Sequence, residues 1–282
     1  MQIIINADDF GRSTCINTAI IRAHREGVLT STSLMVAGDS VEEAVALARE
    51  TPTLTVGLHV VIAVGKAVLP PDRIPHLVDH QGRFPDDAFI TGLRYILSQK
   101  VQRELALELE AQFERFASTG LPLSHVDGHI HMHIHPTVFK LLLPLAERYG
   151  ARGFRLPRDD LWLALGYNRQ RVGIKLIWAI TFGLLCRNYP PRLKKHNLTF
   201  THRMYGLMQT GQMQEAYVVK VLRQMKSPTA ELYFHPSTQP GDEPMGPNPS
   251  DLATLLSPAV REVIQDRDLH LATYPTLVEA KK

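Results

Sequence analysis

Short β-rich runs alternate with helical stretches along most of this chain, and this alternation limits the fold more than any other feature. The first run spans 3–6, and apolar residues at helical spacing follow over 13–26. Further strands are predicted over 29–36, 55–61, 124–129, 153–156, 231–235 and 269–274, with helices over 41–50, 101–118, 136–149 and 213–225. We therefore predict an α/β fold, a closed or nearly closed (β/α) barrel of about seven parallel strands. We treat 1–282 as a single domain, because single barrels reach this length.

Composition and charge exclude several functional classes. Hydrophobic residues make up 44% of the chain and charged residues 21%, which is ordinary for a globular protein in water. A formal charge of +3 is too small to indicate nucleic acid as a partner. Two cysteines, Cys15 and Cys186, lie far apart and predict no disulfide, so a reducing compartment is expected. The first residues lack the features of a signal peptide, which predicts a cytoplasmic protein.

A different composition marks 161–200, which we interpret as an insertion with one or two amphipathic helices. Its apolar stripe contains Trp162 and Trp178 and is interrupted by Arg169, Arg171, Lys175, Arg187, Arg192, Lys194 and Lys195. The uncharged run 176–186 has eleven residues, whereas crossing a bilayer needs about 20 apolar residues. Two interpretations stay open. The segment packs on the barrel, or it lies peripherally on the inner face of the cytoplasmic membrane.

Polar residues recur at the carboxyl ends of the predicted strands. Asp8 and Asp9 follow the first strand, and His59 lies near the end of the third. Later strands end in or near Asp127, His129, Arg155 and His235. In barrel enzymes the active site gathers at this edge, because the loops that follow the strands meet there. The sequence therefore predicts one site built from several strands.

Asp8 and Asp9 can be interpreted in two ways. In the simpler interpretation, the Asp-Asp-Phe-Gly turn caps the next helix, and a carboxylate accepts hydrogen bonds from free backbone N–H groups. In the other, neighbouring residues of a strand point to opposite sides, so one carboxylate binds a cation while the other takes a proton from water. The histidines at the other strand ends favour the second interpretation.

The segment 124–136 holds five of the 13 histidines. From His129 to His135 they alternate, and alternate residues of an extended strand share a face. Imidazole is the commonest metal-binding side chain, so one ring is expected to be a ligand and others to support it, contact substrate or lie exposed. A solvated His-rich loop is the alternative. His235 precedes Pro236 and is expected on a rigid turn, where it can protonate a leaving amine.

Four motifs together resemble the YdjC-like carbohydrate deacetylases. They are Asn6-Ala-Asp-Asp-Phe-Gly11, Gly57-Leu-His59, His125-Val-Asp-Gly-His-Ile-His131 and the His235-Pro236 turn, which cover nearly the whole chain in the expected order. The resemblance implies a distorted, TIM-like (β/α) barrel and one divalent metal ion, Mg²⁺ or Zn²⁺, held by an Asp-His-His set.

The family's site residues carry over one by one to this sequence. The implied metal ligands are Asp9, His59 and His129, the implied catalytic base is Asp8, and the implied acid is His235. Two departures are present. Many members have His-Pro-Gly where this chain has His-Pro-Ser, and Asp-Ser-His where it has Asp-Gly-His.

A narrower resemblance, to the hopanoid-biosynthesis (HpnK-type) branch, is carried by the runs over 29–36, 69–71, 81–84 and 153–158. That branch acts on an N-acetylglucosaminyl hopanoid, so it implies a glycolipid substrate and an enzyme that comes to the membrane surface. The sugar is then expected to be held by Arg155, Asp127, His131 and His133.

Other functions remain compatible with the same residues. The substrate could be a soluble chito-oligosaccharide, or the reaction could be that of a metal-dependent phosphoesterase. A non-catalytic carbohydrate- or lipid-binding protein is a third alternative. The sequence also does not decide whether the metal is Mg²⁺ or Zn²⁺, or whether the protein is a monomer or a homodimer.

Overall fold

Parallel strands form the centre of the molecule. The computed structural model describes residues 1–241 and 245–277. The main sheet has the order β7-β6-β3-β2-β1-β9-β8, with β10 also paired to β1 and with β4 and β5 as a separate antiparallel pair. The strands are β1 (Gln2–Phe10), β2 (Ser31–Leu34), β3 (Thr55–Val60), β4 (Gly65–Lys66), β5 (Arg83–Phe84), β6 (Leu123–Gly128), β7 (Gly153–Phe154), β8 (Arg203–Tyr205), β9 (Thr229–Phe234) and β10 (His270–Ala272).

Helices surround this sheet. They are α1 (Thr14–Glu26), α2 (Val41–Arg49), α3 (Ala88–Leu97), α4 (Gln99–Ser118), α5 (Pro136–Arg148), α6 (Leu161–Tyr167), α7 (Val172–Cys186), α8 (Pro190–Lys195), α9 (Glu215–Gln224), α10 (Pro249–Leu255) and α11 (Pro258–Asp266). Short 3₁₀-helices lie at His129–Ile134, Leu207–Gln209 and Tyr274–Thr276. Within the ranges described, no helix is both long enough and apolar enough to span a bilayer.

β1 is the central strand and is covered on both faces. Every residue from Ile3 to Phe10 is buried, as expected for a parallel strand packed between helices and the opposite wall. Along one edge β1 pairs with β9 from Gln2 to Ala7. Along the other edge it pairs first with β10 and then with β2. The predicted α/β architecture of about seven parallel strands is thus confirmed.

The two outer strands, β7 and β8, are joined irregularly. Thr199 lies between them, donating its N–H to Arg152 O and accepting from Phe154 N, each at 2.9 Å. Met204 N–H donates to Arg158 O at 3.2 Å. These bonds connect the edges without a regular ladder, so the barrel is distorted.

Three elements differ from the sequence-based expectation. The segment 161–200 contains three helices, α6, α7 and α8, where one or two were predicted. α3 lies between the strand predicted over 55–61 and the helix predicted over 101–118, in a stretch to which no element was assigned. β8, a strand of three residues, was not predicted.

The prediction of an extended strand through the histidines is wrong beyond Gly128. β6 ends there, and a 3₁₀-helix follows in which Ile130 and His131 have φ values of 48° and 60°. A β-branched residue rarely adopts this left-handed conformation, so the sequence pattern gives no sign of it. As a result, successive rings turn to different neighbours.

Gly57 on β3 lies against the buried ring of His125. A Cβ at position 57 would come within 2.4 Å of His125 Cε1. The ring cannot retreat easily, because Tyr274 stacks on it with ring centroids 4.6 Å apart. We predict that Gly57→Ala lowers the free energy of unfolding by about 1–3 kcal/mol through overpacking, measured by urea denaturation.

Gly173 on α7 provides the matched control. A Cβ there meets open space, so Gly173→Ala should leave stability unchanged or raise it slightly through better helix propensity. Equal unfolding free energies for the two alanine variants would contradict the packing described at Gly57.

Candidate active site

The carboxyl ends of β1, β3 and β6 bring the predicted site residues together. β3 and β6 are neighbours, with His59 directly opposite Asp127 in the parallel register. Asp8 and Asp9 lie near the end of β1, two strands away from β3. His129 begins the 3₁₀-helix that follows β6. Parallel pairing therefore places residues far apart in sequence at one rim of the barrel.

Asp9, His59 and His129 converge on one point. Asp9 Oδ1 lies 3.5 Å from His59 Nε2 and 3.3 Å from His129 Nδ1. One ligand atom from each of the three residues fits within a mutual distance of 4.8 Å, and all three side chains are buried. Asp9 Oδ1 and His59 Nε2 have no hydrogen-bond partner. Buried polar atoms without a partner are rare, so this pair indicates room for a further ligand between them.

The backbone turns Asp9 away from Asp8. Asp9 has φ 68°, and the pairing of β1 with β2 shifts register between Ala7 and Phe10. Aspartate tolerates this left-handed conformation better than most residues do. The two adjacent carboxylates consequently have different partners. Asp9 lies against the histidines, and Asp8 pairs with the guanidinium of Arg155.

Asp127 orients His59 from behind. Its Oδ1 lies 2.8 Å from His59 Nδ1, which leaves Nε2 directed toward Asp9. A carboxylate behind a ligating histidine fixes the ring and its tautomer in metal sites. Burial alone would lower the pKa of His59, but the carboxylates, Asp127 foremost, raise it above its usual value.

Arg155 is the charged centre of the site. Its guanidinium is 0% exposed and forms a two-pronged ion pair with Asp8, with both N–O distances at 2.7 Å. It also contacts Asp127 Oδ2 at 2.9 Å and Glu231 Oε1 at 2.8 Å. Burial acts to raise the pKa values of Asp8 and Asp127, yet Arg155 holds both below the usual range, so both carboxylates are ionised.

Formal charges in this cluster do not balance. Four carboxylates are buried, those of Asp8, Asp9, Asp127 and Glu231. Arg155 is the buried cation among them, and Arg12, with its side chain 30% exposed, contacts Asp9 Oδ2 at 3.1 Å. With the imidazoles counted as neutral, as metal ligands are, two negative charges remain, and uncompensated buried charge is costly. A divalent cation beside Asp9 would supply the missing positive charge.

Residues predicted to hold the sugar have partners within the protein. Asp127, Arg155 and His133 are each 0% exposed. His133 Nε2 lies 3.1 Å from the Arg155 carbonyl oxygen, so it supports the backbone of that arginine. His131 is 8% exposed, with Nε2 3.3 Å from Tyr233 Oη. The first three are therefore positioned to organise the site from behind, and His131 stays a predicted sugar contact.

His235 follows β9 on a turn held by side chains. Its N–H donates to Asp251 Oδ2 at 2.9 Å, and its carbonyl oxygen accepts from Asn248 N at 2.8 Å. The ring is half-buried beside Tyr233. Burial alone would raise the pKa of Asp9, but the nearby histidines, His129 first and then His235, lower it below its usual value. Because β9 pairs with β1 as far as Phe234 opposite Ala7, His235 follows its strand at the same rim as the three converging residues.

Sequence reasoning missed Glu231 and Tyr274. Glu231 is fully buried on β9, holds Arg155, and accepts a hydrogen bond from Tyr274 Oη at 2.6 Å. The available signal was an acidic residue inside the otherwise uncharged strand Thr-Ala-Glu-Leu-Tyr-Phe. For Tyr274, near the carboxyl end of the chain, the sequence carries no such signal.

Comparison with known proteins identifies the family of this chain. A family model described as YdjC-like protein matches residues 2–266. The chain belongs to the YdjC-like family. A carbohydrate deacetylase from Brevibacillus brevis is 34% identical over 98% of this chain and 100% of its own length. One from Geobacillus stearothermophilus is 40% identical over 56% of this chain and 64% of its own length.

A solved structure extends the likeness to the YdjC-like chain as a whole. A protein from Enterococcus faecalis, provisionally named a cellobiose-phosphate cleavage protein, superposes with a TM-score of 0.76. It is 25% identical and covers 98% of both chains. The overall fold is thus shared along nearly the full length of both chains.

The arrangement behind His59 predicts a specific effect on metal binding. Asp127→Asn keeps the shape of the side chain but removes the charge that orients the ring. We expect the affinity for Zn²⁺ to fall about 10- to 100-fold, measured by isothermal titration calorimetry. Asp72→Asn, at an exposed aspartate, is the control and should bind like the original chain. Unchanged affinity in a folded Asp127→Asn protein would contradict the supporting role of Asp127.

Proposed function

We propose that this chain is a hydrolase that removes the acetyl group from an N-acetylated sugar, with a divalent cation held by Asp9, His59 and His129. The observation that carries the proposal is the convergence of Asp9 Oδ1 on two imidazole nitrogens, with the separate carboxylate of Asp8 next in sequence. The similar proteins from Brevibacillus and Geobacillus are carbohydrate deacetylases, which supports the same reaction type here.

The residues present fit a divalent cation. Two imidazoles and one carboxylate form a donor set that suits Zn²⁺ and several other divalent metals. The partnerless Asp9 Oδ1 and His59 Nε2, together with the excess of buried negative charge, favour a cation at this point. When bound, such an ion polarises a carbonyl group and lowers the pKa of bound water to about 7.

Asp8 is suited to accept a proton. Arg155 holds its pKa below the usual value against the effect of burial, so the carboxylate is ionised at neutral pH. Arg155 and Asn6 fix its orientation, with Asn6 Nδ2 donating to Asp8 Oδ1 at 2.9 Å. Each carboxylate oxygen has two lone pairs, so these bonds leave capacity for a water molecule. We assign Asp8 as the general base and Arg155 as the residue that positions it.

His235 is suited to donate a proton. Its backbone is held on both sides by Asp251 and Asn248, while the ring is half-exposed at the rim. Cleaving an amide requires protonation of the departing nitrogen, and a histidine near neutral pH can supply that proton. We assign His235 as the general acid that releases the sugar amine.

A cleft that reaches Arg12, the partner of Asp9, has room for a sugar, although Asp9, His59 and His129 are not in its lining. Its volume is about 440 Å³, and it is lined on one side by Arg12, which contacts Asp9. Lys66, Arg83 and Asp86 add polar groups to the lining. We propose that the sugar lies in this cleft with its acetamide toward Asp9.

For the substrate itself we propose an N-acetylglucosaminyl group on a hopanoid. Large apolar side chains exposed on α7 support a lipid-linked sugar over a soluble chito-oligosaccharide. A phosphoesterase would release phosphate instead of acetate, and a binding protein would release neither. Mass spectrometry of an N-acetylglucosaminyl lipid and of chitobiose after incubation distinguishes these cases. Cytoplasmic location and a homodimer stay predictions.

Asp8 and Asp9 give separable predictions. Asp8→Asn should lower acetate release about 10²- to 10⁴-fold by removing the base, with metal content unchanged. Asp9→Asn and His129→Ala should lower both activity and metal content, because each removes a ligand. Acetate assays and inductively coupled plasma mass spectrometry provide the two readouts, with Asp72→Asn as control. Loss of activity with full metal content in all three variants would refute the ligand assignment.

The acid role of His235 is tested by changing the leaving group. His235→Ala should slow release of acetate from an N-acetyl sugar about 10²-fold or more. Hydrolysis of 4-nitrophenyl acetate by the same variant should fall much less, because nitrophenolate departs without a proton. Steady-state rates on both substrates measure the ratio. An equal loss of rate on the two substrates would contradict the role of His235 as general acid.

A further inference from the structure

α7 exposes a broad apolar face to solvent. Within this helix the large side chains that are exposed include Leu176 at 47%, Ile177 at 62%, Ile180 at 54% and Leu184 at 63%. The opposite face packs inward through residues such as Phe182, which contacts the ring of His131. A helix that is apolar all round is ordinarily covered on every side. The outer face of α7 is therefore built to be covered by something else.

α3 presents a second face of the same kind. Phe89 is 76% exposed, Ile90 55%, Ile96 54% and Leu97 80%. Its inner side contacts the segment after β6, where Tyr95 packs on the ring of His135. Large exposed apolar areas on a protein that is otherwise well packed mark interaction sites.

The two faces flank the candidate active site. The 3₁₀-helix His129–Ile134 carries His129 at its start. α7 contacts this segment through Phe182 and His131, and α3 contacts the residue that follows it, His135. Ile130, at the tip of the same segment, is 43% exposed. We name the outer faces of α3 and α7, together with Ile130, the apolar rim.

Charge around α7 indicates the kind of partner. The segment 161–200 contains seven Lys and Arg residues and no Asp or Glu, although the whole chain has a formal charge of only +3. Exposed Arg169 and Arg171 precede α7, and exposed Arg187 and Arg192 follow it. The charges near α3 are mixed, since Asp86 and Asp87 precede it and Arg94 lies on it. The cationic character therefore belongs to α7.

A second copy of this chain fits this surface poorly. A two-fold interface centred on α7 would set this segment against its own copy, and the segment offers positive charges without acidic partners. An anionic lipid surface satisfies both features, because its acyl chains accept Ile, Leu and Phe while its headgroups attract Arg and Lys. We propose that the apolar rim docks the protein on an anionic bilayer, with α7 lying in the interface and the site mouth facing the lipid.

This docking deepens the proposed function and rests on it for the identity of the substrate. A sugar attached to a membrane lipid stays at the bilayer surface, so an enzyme that acts on it must come to that surface. The binding step can be measured without turnover. Each Lys or Arg near an anionic surface strengthens binding by about fivefold at ordinary ionic strength, and salt should weaken it.

Vesicle co-sedimentation of the full chain tests the proposal. We expect the protein to pellet with vesicles containing 30% phosphatidylglycerol, and to pellet at least tenfold less with pure phosphatidylcholine or in high salt. Ile177→Gln with Ile180→Gln should weaken binding at least tenfold. Leu107→Gln, at a 43%-exposed apolar residue on α4, is the matched control and should bind normally. All folded variants should hydrolyse soluble 4-nitrophenyl acetate at the rate of the original chain.

Three outcomes would overturn the docking surface. The original chain fails to pellet with anionic vesicles, or the double variant pellets as well as the original, or light scattering shows a dimer that the double variant converts to a monomer. Vesicle binding with no acetate released from any substrate would uphold docking and refute the proposed function. Acetate release without vesicle binding would uphold the proposed function and refute docking.

Discussion

The buried guanidinium of Arg155 is the interaction on which the rest of the site depends. It lies within 3 Å of the carboxylates of Asp8, Asp127 and Glu231, which come from three different strands. A buried arginine or carboxylate left alone would be strongly unfavourable, and breaking such a pair costs about 3–5 kcal/mol. Each strand end is therefore held in place by the same cation, and the barrel cannot rearrange locally without exposing one of these charges.

The contacts of Arg155 also influence the orientation of the residues that converge at Asp9. Asp127 contacts Arg155 with one oxygen and His59 with the other, so the position of the arginine sets the orientation of the imidazole. His133 holds the backbone of Arg155, and Tyr274 holds Glu231. Asp8 is fixed directly. Asp9 thus lies at the edge of a network of polar contacts centred on the fully buried Arg155. Surrounding contacts of this kind keep a binding site rigid.

Much of this arrangement could be predicted from the sequence, for identifiable reasons. The alternation of strands and helices specified a parallel barrel, and parallel strands bring their carboxyl ends to one edge. The motifs that resemble the YdjC-like family then selected Asp9, His59 and His129, which the structure brings within reach of one another. The local sequence pattern therefore predicts at which strand end a side chain lies.

The partners of those side chains were much harder to predict. Arg155 was expected to touch a sugar, because a polar residue at a strand end gives no indication of how deeply it is buried. Its contacts with Asp8 and Glu231 join residues 147 and 76 positions apart. The turn at Ile130 and His131 depends on left-handed backbone, which the β-branched Ile130 disfavours. Such features arise from tertiary packing and are absent from local spacing.

Anomalous diffraction from crystals grown with Zn²⁺ tests whether Asp9, His59 and His129 together bind a metal ion. We expect one strong peak coordinated by Asp9 Oδ1, His59 Nε2 and His129 Nδ1 at about 2.0–2.2 Å, with Asp8 beside the ion and still paired to Arg155. A peak bound instead by Asp8 and Asp127, or no peak between Asp9 and the two imidazoles, would contradict it.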